Sequence, residues 1–345
     1  MIIVNNIATY SLLTILTNIG KRSFENMGKI IKKSGDTINR MLRPGHESLE
    51  QSKKIAQKIF AHKKELLVVI DETAIKKIYS QMMEGAGWFF DTKIGRRINA
   101  YKLIIGAISD GKFTVPINAA FTFGKEFYGD PRQALRITVQ LFINTAQTLF
   151  PNTRIIAVLD GAYATVEYLK WAIENNIATE VRMHSNRVVE YRGKKRKLRE
   201  IKEILPKGRQ MARTVQVIWH GLFLHITVVR RIDKHGNQTI VYQAATYKAT
   251  PKQHAMNYKK RWSIEKLNRT TKQSLGLQEC FSRKIVKQYN HICAVLLAYS
   301  IVQLEMKKNG YKNAETAIRA LKKKNPAFLN RCIIALDQNN DIIYA

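Results

Sequence analysis

The sequence predicts an α/β protein: a mixed sheet with flanking helices, preceded by an all-helical N-terminal region and interrupted by a β-rich insertion. Three observations carry this expectation. Residues 1–62 hold helical patterning and little β pattern. Over residues 63–183, continuous β-branched runs come first and then alternate with amphipathic stretches, as in a sheet covered by helices. Residues 184–250 abandon that alternation for short β runs divided by turn residues, and helical patterning returns over 251–345.

Taken in order, Ser23 to Lys33 forms one helix with Phe24, Met27, Ile30 and Ile31 as its apolar face. Ser34-Gly35-Asp36 supplies a turn and a cap, and Thr37-Ile38-Asn39-Arg40-Met41-Leu42 starts a second helix before Pro44-Gly45. This outlines a helix-turn-helix, with Thr37, Asn39 and Arg40 as the side chains nearest a DNA groove. An ordinary helical hairpin packed on the rest of the chain has the same outline.

Leu66 to Ile70 is a continuous apolar run that reads as a buried strand, delivering Asp71-Glu72-Thr73 at its carboxyl end. Gly87–Asp91 and Arg96–Asn99 follow, then strands near 100–108 and 112–122 and a helix near 131–149. Ile155–Leu159 is a second buried strand, ending in Asp160-Gly161, before a helix over 165–175 and a strand at 177–183. Open α/β sheets place their chemistry just beyond the carboxyl ends of strands, which makes Asp71 and Asp160 candidate catalytic acids. A turn or a helix cap is the plainer use of either one alone. The insertion opens with Arg192-Gly193-Lys194-Lys195-Arg196-Lys197, either a DNA contact or a solvated loop. It continues with β runs at Thr214–Trp219, Leu222–Arg230 and Thr239–Thr246, with turns at Gly221 and Lys234–Asn237.

A single helical stretch opens at Thr250-Pro251 and closes at Leu275-Gly276. At about 100° per residue, its Tyr258, Arg261, Glu265 and Lys272 share a stripe roughly 60° wide. A carboxylate between fixed cations suits a site that holds a divalent metal against phosphate. A solvated charged face is the simpler account of the stripe, but it leaves Asp71 and Asp160 unexplained.

The order Tyr258-x2-Arg261-x3-Glu265-x6-Lys272, with Asp71 and Asp160 upstream, resembles the YREK signature of bacterial insertion-sequence DDE transposases over about Leu66 to Leu304. The resemblance implies a ribonuclease-H-like core and cut-and-paste movement of double-stranded DNA, the terminal inverted repeats and target of a transposable element. It implies an insertion that contacts end DNA, and at least a dimer in the synaptic complex. It also implies two Mg²⁺ ions held by Asp71, Asp160 and Glu265, with Mn²⁺ able to substitute; three carboxylates and no Cys/His cluster are donors of that hard type. Arg261 and Lys272 would steer a phosphate. Tyr258 would either hydrogen-bond one or brace the helix as a buried aromatic. Glu72, beside Asp71, departs from the pattern as a second acid competing for the first carboxylate role. A sequence-specific DNA-binding regulator, a ribonuclease-H-like nuclease or resolvase, and an inactive transposase remnant remain as alternatives.

Charge agrees independently of the motif. With 58 Lys+Arg against 26 Asp+Glu, the net charge of +32 on 345 residues calls for a polyanionic partner. From Lys252 to Lys287 there are ten Lys and Arg against Glu265 and Glu279, a net +8 around the expected third carboxylate. Cys280, Cys293 and Cys332 show neither metal-ligand nor disulfide spacing, which fits a reducing compartment. Ile7 to Ile19 is too short and too interrupted to span a bilayer and lacks the cations of a signal sequence, so no membrane partner is expected. The expected location is the bacterial cytoplasm, at the nucleoid. Ile285 to Leu304 reads as a core helix, with a short helix and loop after Gly310.

Overall fold

The computed structural model of the chain describes residues 6–42, 45–78, 80, 82–91, 94–122, 130–233 and 235–323. Pro44, Lys234 and the expected loop at the end of the tail lie outside these residues.

Four helices open the chain: α1 (Asn6–Leu16), α2 (Phe24–Ile31), α3 (Gly35–Arg40) and α4 (Gly45–Phe60). Ser23 and Ser34 cap α2 and α3, their hydroxyls accepting from the N–H groups of Asn26 and Thr37, both at 3.2 Å. Four strands follow: β1 (Glu65–Lys76), β2 (Gly87–Asp91), β3 (Arg96–Ser109) and β4 (Thr114–Thr122). Next come α5 (Pro131–Leu149), β5 (Arg154–Leu159), α6 (Val166–Glu174) and β6 (Ala178–Met183). The insertion supplies β7 (Val188–Tyr191), β8 (Lys194–Lys197), β9 (Ala212–Trp219), β10 (Leu222–Ile232) and β11 (Gln238–Ala245). Helices α7 (Pro251–Lys260), α8 (Trp262–Ser274), α9 (Ile285–Asn309) and α10 (Ala314–Lys323) complete the described chain.

The strands form one sheet in the order β2-β3-β1-β5-β6-β11-β10-β9-β7-β8, with β4 also against β3. Its centre is β4-β3-β1-β5-β6: the first three strands run antiparallel, and β5 and β6 add parallel to β1. This mixed sheet with flanking helices fits the ribonuclease-H-like plan expected from sequence. The insertion continues the sheet, because β11 pairs antiparallel with β6 from Ala245↔Glu180 to Tyr242↔Met183.

Four local expectations need correction. Strand β1 does not end at Asp71 but runs on to Lys76, because β3 pairs with it as far as Lys76↔Ala100, whereas its parallel pairing with β5 stops at Val69↔Val158. The segments near 96–99 and 100–108 are one strand, β3. Lys194–Lys197 is a strand where a loop was the alternative, joined to β7 through Arg192 (φ 52°) and Gly193 (φ 73°), the paired left-handed residues of a tight hairpin. The stretch from Thr250 to Leu275 divides at Arg261, whose N–H is shared between the Asn257 and Tyr258 carbonyls at 3.3 and 3.2 Å, a tightened turn between α7 and α8.

The core lies on the helix-covered sheet. Leu66 to Ile70 of β1 are almost fully buried, and Leu12 and Ile15 of α1 and Ile55, Ile59 and Phe60 of α4 belong to the same cluster. Helix α9 is long and apolar enough to cross a membrane by length and composition, but 78% of its most apolar window is buried inside the fold, as in a core helix.

Candidate active site

Three elements bring the acids together. Asp71 sits on β1 just beyond the last parallel pair with β5, opposite Ile105 of β3. Asp160 follows β5 directly and turns the chain, its Oδ1 accepting from the Gly161 N–H at 2.7 Å. Glu265 lies in the first turn of α8. Burial and the charges of Asp160 and Glu265 push the Asp71 carboxyl up to about 6, against the opposing pull of Arg261 and a backbone hydrogen bond. The charges of Asp160 and Glu265 act on Asp71 in this way from nearby, which groups the three acids around β1, β5 and α8.

Arg261 stands among them. Its Nη2 donates to Glu265 Oε1 at 2.6 Å, with the guanidinium side chain only 12% exposed. Its pKa is raised by Tyr258, Asp160, Asp71 and Glu265 in spite of burial. The guanidinium also lies 5.6 Å from the centre of the Tyr258 ring, and Tyr258 is 7% exposed. Tyr258 therefore sits beneath Arg261, and its hydroxyl, raised by burial, also feels the charges of Asp160 and Arg182. Lys272 is half-buried on α8, two turns beyond Glu265. Tyr258 lies on α7, Arg261 in the tightened turn, and Glu265 and Lys272 on α8, so the four signature residues are divided between two consecutive helices.

Glu72 and Asp71 diverge on β1. Alternation along the strand sends Glu72 to the other face, where it pairs with Lys102 at 2.9 Å. Asn39 and Arg40 lie far along the chain from the acids, on α3. Asn39 is engaged by the Lys287 ammonium, and Arg40 is exposed and paired with Asp36 at 2.8 Å. Thr37 is held locally, its hydroxyl 3.0 Å from that of Ser34.

Sequence reasoning missed several neighbours. Asn268 donates from Nδ2 to Asp71 Oδ2 at 3.1 Å, fixing that carboxylate from α8. Its spacing of three residues from Glu265 was the available signal. Tyr163 is buried beside Asp71, Glu72 and Asp160, whose charges raise its hydroxyl pKa along with burial. Glu180, 1% exposed on β6, accepts from His254 Nδ1 at 2.9 Å, from Asn257 Nδ2 at 3.1 Å and from the Tyr247 hydroxyl. This buried cluster holds α7 to β6, the strand that pairs through Glu180 with Val158 of β5, two residues before Asp160. Nothing in the local pattern around Glu180 announces a buried charge.

Oxygen donors on three acids are the right chemistry for a hard divalent ion, whose charge would oppose the burial and the neighbouring carboxylates that raise Asp71. As the side chains stand, no three His, Cys, Asp or Glu among the described residues close around one point, since Glu265 gives an oxygen to Arg261 and Asp71 one to Asn268. A cleft of about 480 Å³ begins at Gly161, the residue after Asp160, and carries Arg132, Arg136 and Arg187 in its lining.

Among curated proteins, none matches the chain. The family model described as "Transposase DDE domain" matches residues 62–301, which span β1 to β11 and reach into α9. That match covers most of the chain, and Asp71, Asp160 and Glu265 fall inside its range. The protein belongs to the DDE transposase family.

Proposed function

We propose that the chain is an insertion-sequence transposase of the YREK group, which cuts the ends of its element and joins them to target DNA by divalent-metal chemistry. The observation that supports this best is the grouping of Asp71, Asp160 and Glu265, delivered by β1, β5 and α8 around the Arg261 guanidinium. Asp71, Asp160 and Glu265 would hold two Mg²⁺ ions, or Mn²⁺ in their place, which when bound lower the pKa of an attacking water and offset charge on the leaving oxygen. Asn268 keeps the Asp71 carboxylate oriented. Arg261 exchanges Glu265 for a phosphate oxygen of the DNA, a planar fork being suited to that contact. Tyr258 aims the guanidinium from below, and Lys272, about 10 Å along α8 from Glu265, takes a further phosphate.

Residues 1–62 recognise the terminal repeats, with Arg40 as the reading side chain available at the surface and Asn39 requiring release from Lys287. The insertion contacts end DNA through its exposed basic strands. Two ends held together require at least a dimer, and the working compartment is the cytoplasm, at the nucleoid. The test is Mg²⁺-dependent cleavage of DNA carrying the element's ends. Cutting by the wild-type chain and none by Glu265→Gln is the expected result. Specific end binding without any cutting in wild type would instead mark a DNA-binding regulator or an inactive remnant.

A further inference from the structure

Beyond the acids, the sheet continues as an arm. Strands β1 and β3 remain paired for five residues past Asp71↔Ile105, to Lys76↔Ala100, and Arg96 to Ala100 of β3 pair with β2. The arm is anchored at its base. Asn99 Nδ2 donates to the Ser80 carbonyl at 2.6 Å, the Tyr101 hydroxyl to the Glu84 carbonyl at 2.8 Å, and the Glu84 N–H to the Arg283 carbonyl at 3.1 Å.

On this arm Trp88 and Phe90 are each 64% exposed, and strand alternation puts both on one face of β2. Phe89, between them, faces the other way under the Lys102 ammonium. Phe90 pairs with Arg97, and Asp91 with Arg96; both arginines are exposed and neither makes an ion pair among the described residues. Arg97 shares the face of Trp88 and Phe90, whereas Arg96 lies with Phe89 on the other. Isolated exposed apolar side chains are ordinary, but two such aromatics on an edge strand beside the exposed Arg97 guanidinium form a patch that wants an occupant.

Charge identifies that occupant. A second copy of this chain carries the same +32 and would bring like-charged arms together. DNA offers complementary phosphates to Arg97, and base faces to the rings. Apolar side chains that enter between base steps unstack them and kink the duplex. Trp88 pairs with Asn99, six residues along β3 from Ile105, which sets it about 20 Å from Asp71 at roughly 3.3 Å per residue. Duplex lying across the acids would reach the rings about six base pairs from the scissile phosphate, at ~3.4 Å per step.

We propose that Trp88 and Phe90 form a wedge that stacks on bases unstacked from DNA flanking the cleavage point, while Arg97 on the same face holds an adjacent phosphate. This rests on the transposase function proposed above for the presence of DNA at the acids, but its test reads binding alone. The probes are a random-sequence duplex and the same duplex with a central mismatch, titrated without divalent ions so that no cutting occurs. Base–aromatic stacking at about 1–3 kcal/mol per base predicts that wild type prefers the mismatched probe by roughly tenfold or more. The double variant Trp88→Ala, Phe90→Ala should lose that preference, with little change on the paired duplex and an unchanged thermal midpoint.

No mismatch preference in wild type, or its survival in the double variant, overturns the wedge. So does a DNA-free wild-type dimer that becomes a monomer in the variant, which would make this face an interface between copies. Failure of Glu265→Gln to abolish cleavage would defeat the active-site assignment while leaving this binding result standing.

Discussion

At the scale of single residues, the acids and the groups that hold them make separable predictions. Asp71→Asn, Asp160→Asn and Glu265→Gln each remove charge at nearly constant volume. Each should lower Mg²⁺-dependent cleavage by more than about 10³-fold while end binding persists. Glu72→Gln, on the opposite face of β1 against Lys102, should cut nearly as well as wild type. Total loss there would exchange the two residues' roles. Arg261→Lys keeps the charge and loses the fork, so cleavage should fall about tenfold or more with the thermal midpoint retained. A collapse of folding would instead make the Arg261–Glu265 pair structural. His291 gives a pH test away from the site. It is fully buried, accepts at Nδ1 from the Tyr10 hydroxyl at 2.8 Å and donates from Nε2 to the Gly276 carbonyl at 2.9 Å, and burial lowers it from 6.5 to about 4. A lowered histidine favours the neutral ring in the fold, so its contribution is complete above pH 6.5 and is lost as pH falls towards 4. Roughly 3 kcal/mol is involved. Thermal melts across that window should show a steeper fall for wild type than for His291→Gln; equal slopes would remove His291 from the balance. The catalytic candidates were legible because acids at strand ends and at helical spacing have a local pattern. Asn268 was not, since an asparagine on a polar helix face looks alike whether it meets solvent or Asp71.

At the scale of elements, the helices and strands with strong periodicity appeared where expected. Helix α5 starts at Pro131 behind the Asp130 cap, and α6 behind Thr165. What periodicity missed were pairings. β3 is a single long strand because different stretches of it serve β1, β2 and β4, and β8 is a strand because β7 lies beside it. The division between α7 and α8 has no Pro or Gly to announce it. One contact within the sheet is testable by overpacking. Gly106 of β3 lies under α5, where a Cβ would meet Phe142 Cδ2 at 2.5 Å and Cγ at 3.1 Å. Those atoms are near the Phe142 backbone and give way poorly, so Gly106→Ala should cost about 1–3 kcal/mol and lower the thermal midpoint. A wild-type melt would show that α5 can slide on the sheet.

At the scale of the molecule, the N-terminal helices and the acid-bearing sheet share one core. Leu12, Ile15, Leu49, Ile55, Ile59 and Phe60 pack in the cluster that contains β1 and β5. At about 1.5–3 kcal/mol for each buried side chain, deleting residues 1–62 would remove around 10 kcal/mol, comparable with the whole stability of a domain. A chain starting near His62 should therefore be unfolded by circular dichroism, and Arg40→Ala is the sharper test of end recognition. A cooperative melt of the truncated chain would show that the sheet stands alone. The buried runs of β1 and β5, the aspartates that follow them, the spacing of Tyr258, Arg261, Glu265 and Lys272, and the excess of positive charge were legible in the sequence, because they depend on periodicity and charge within a few residues. The continuation of β1 past Asp71, the turn of Glu72 towards Lys102, the place of Arg261 beside Glu265, the buried contacts of Glu180 with α7 and the exposure of Trp88 and Phe90 came with the folded chain. Those outcomes depend on which distant segment arrives opposite each side chain, and that is set by register and packing across the whole chain.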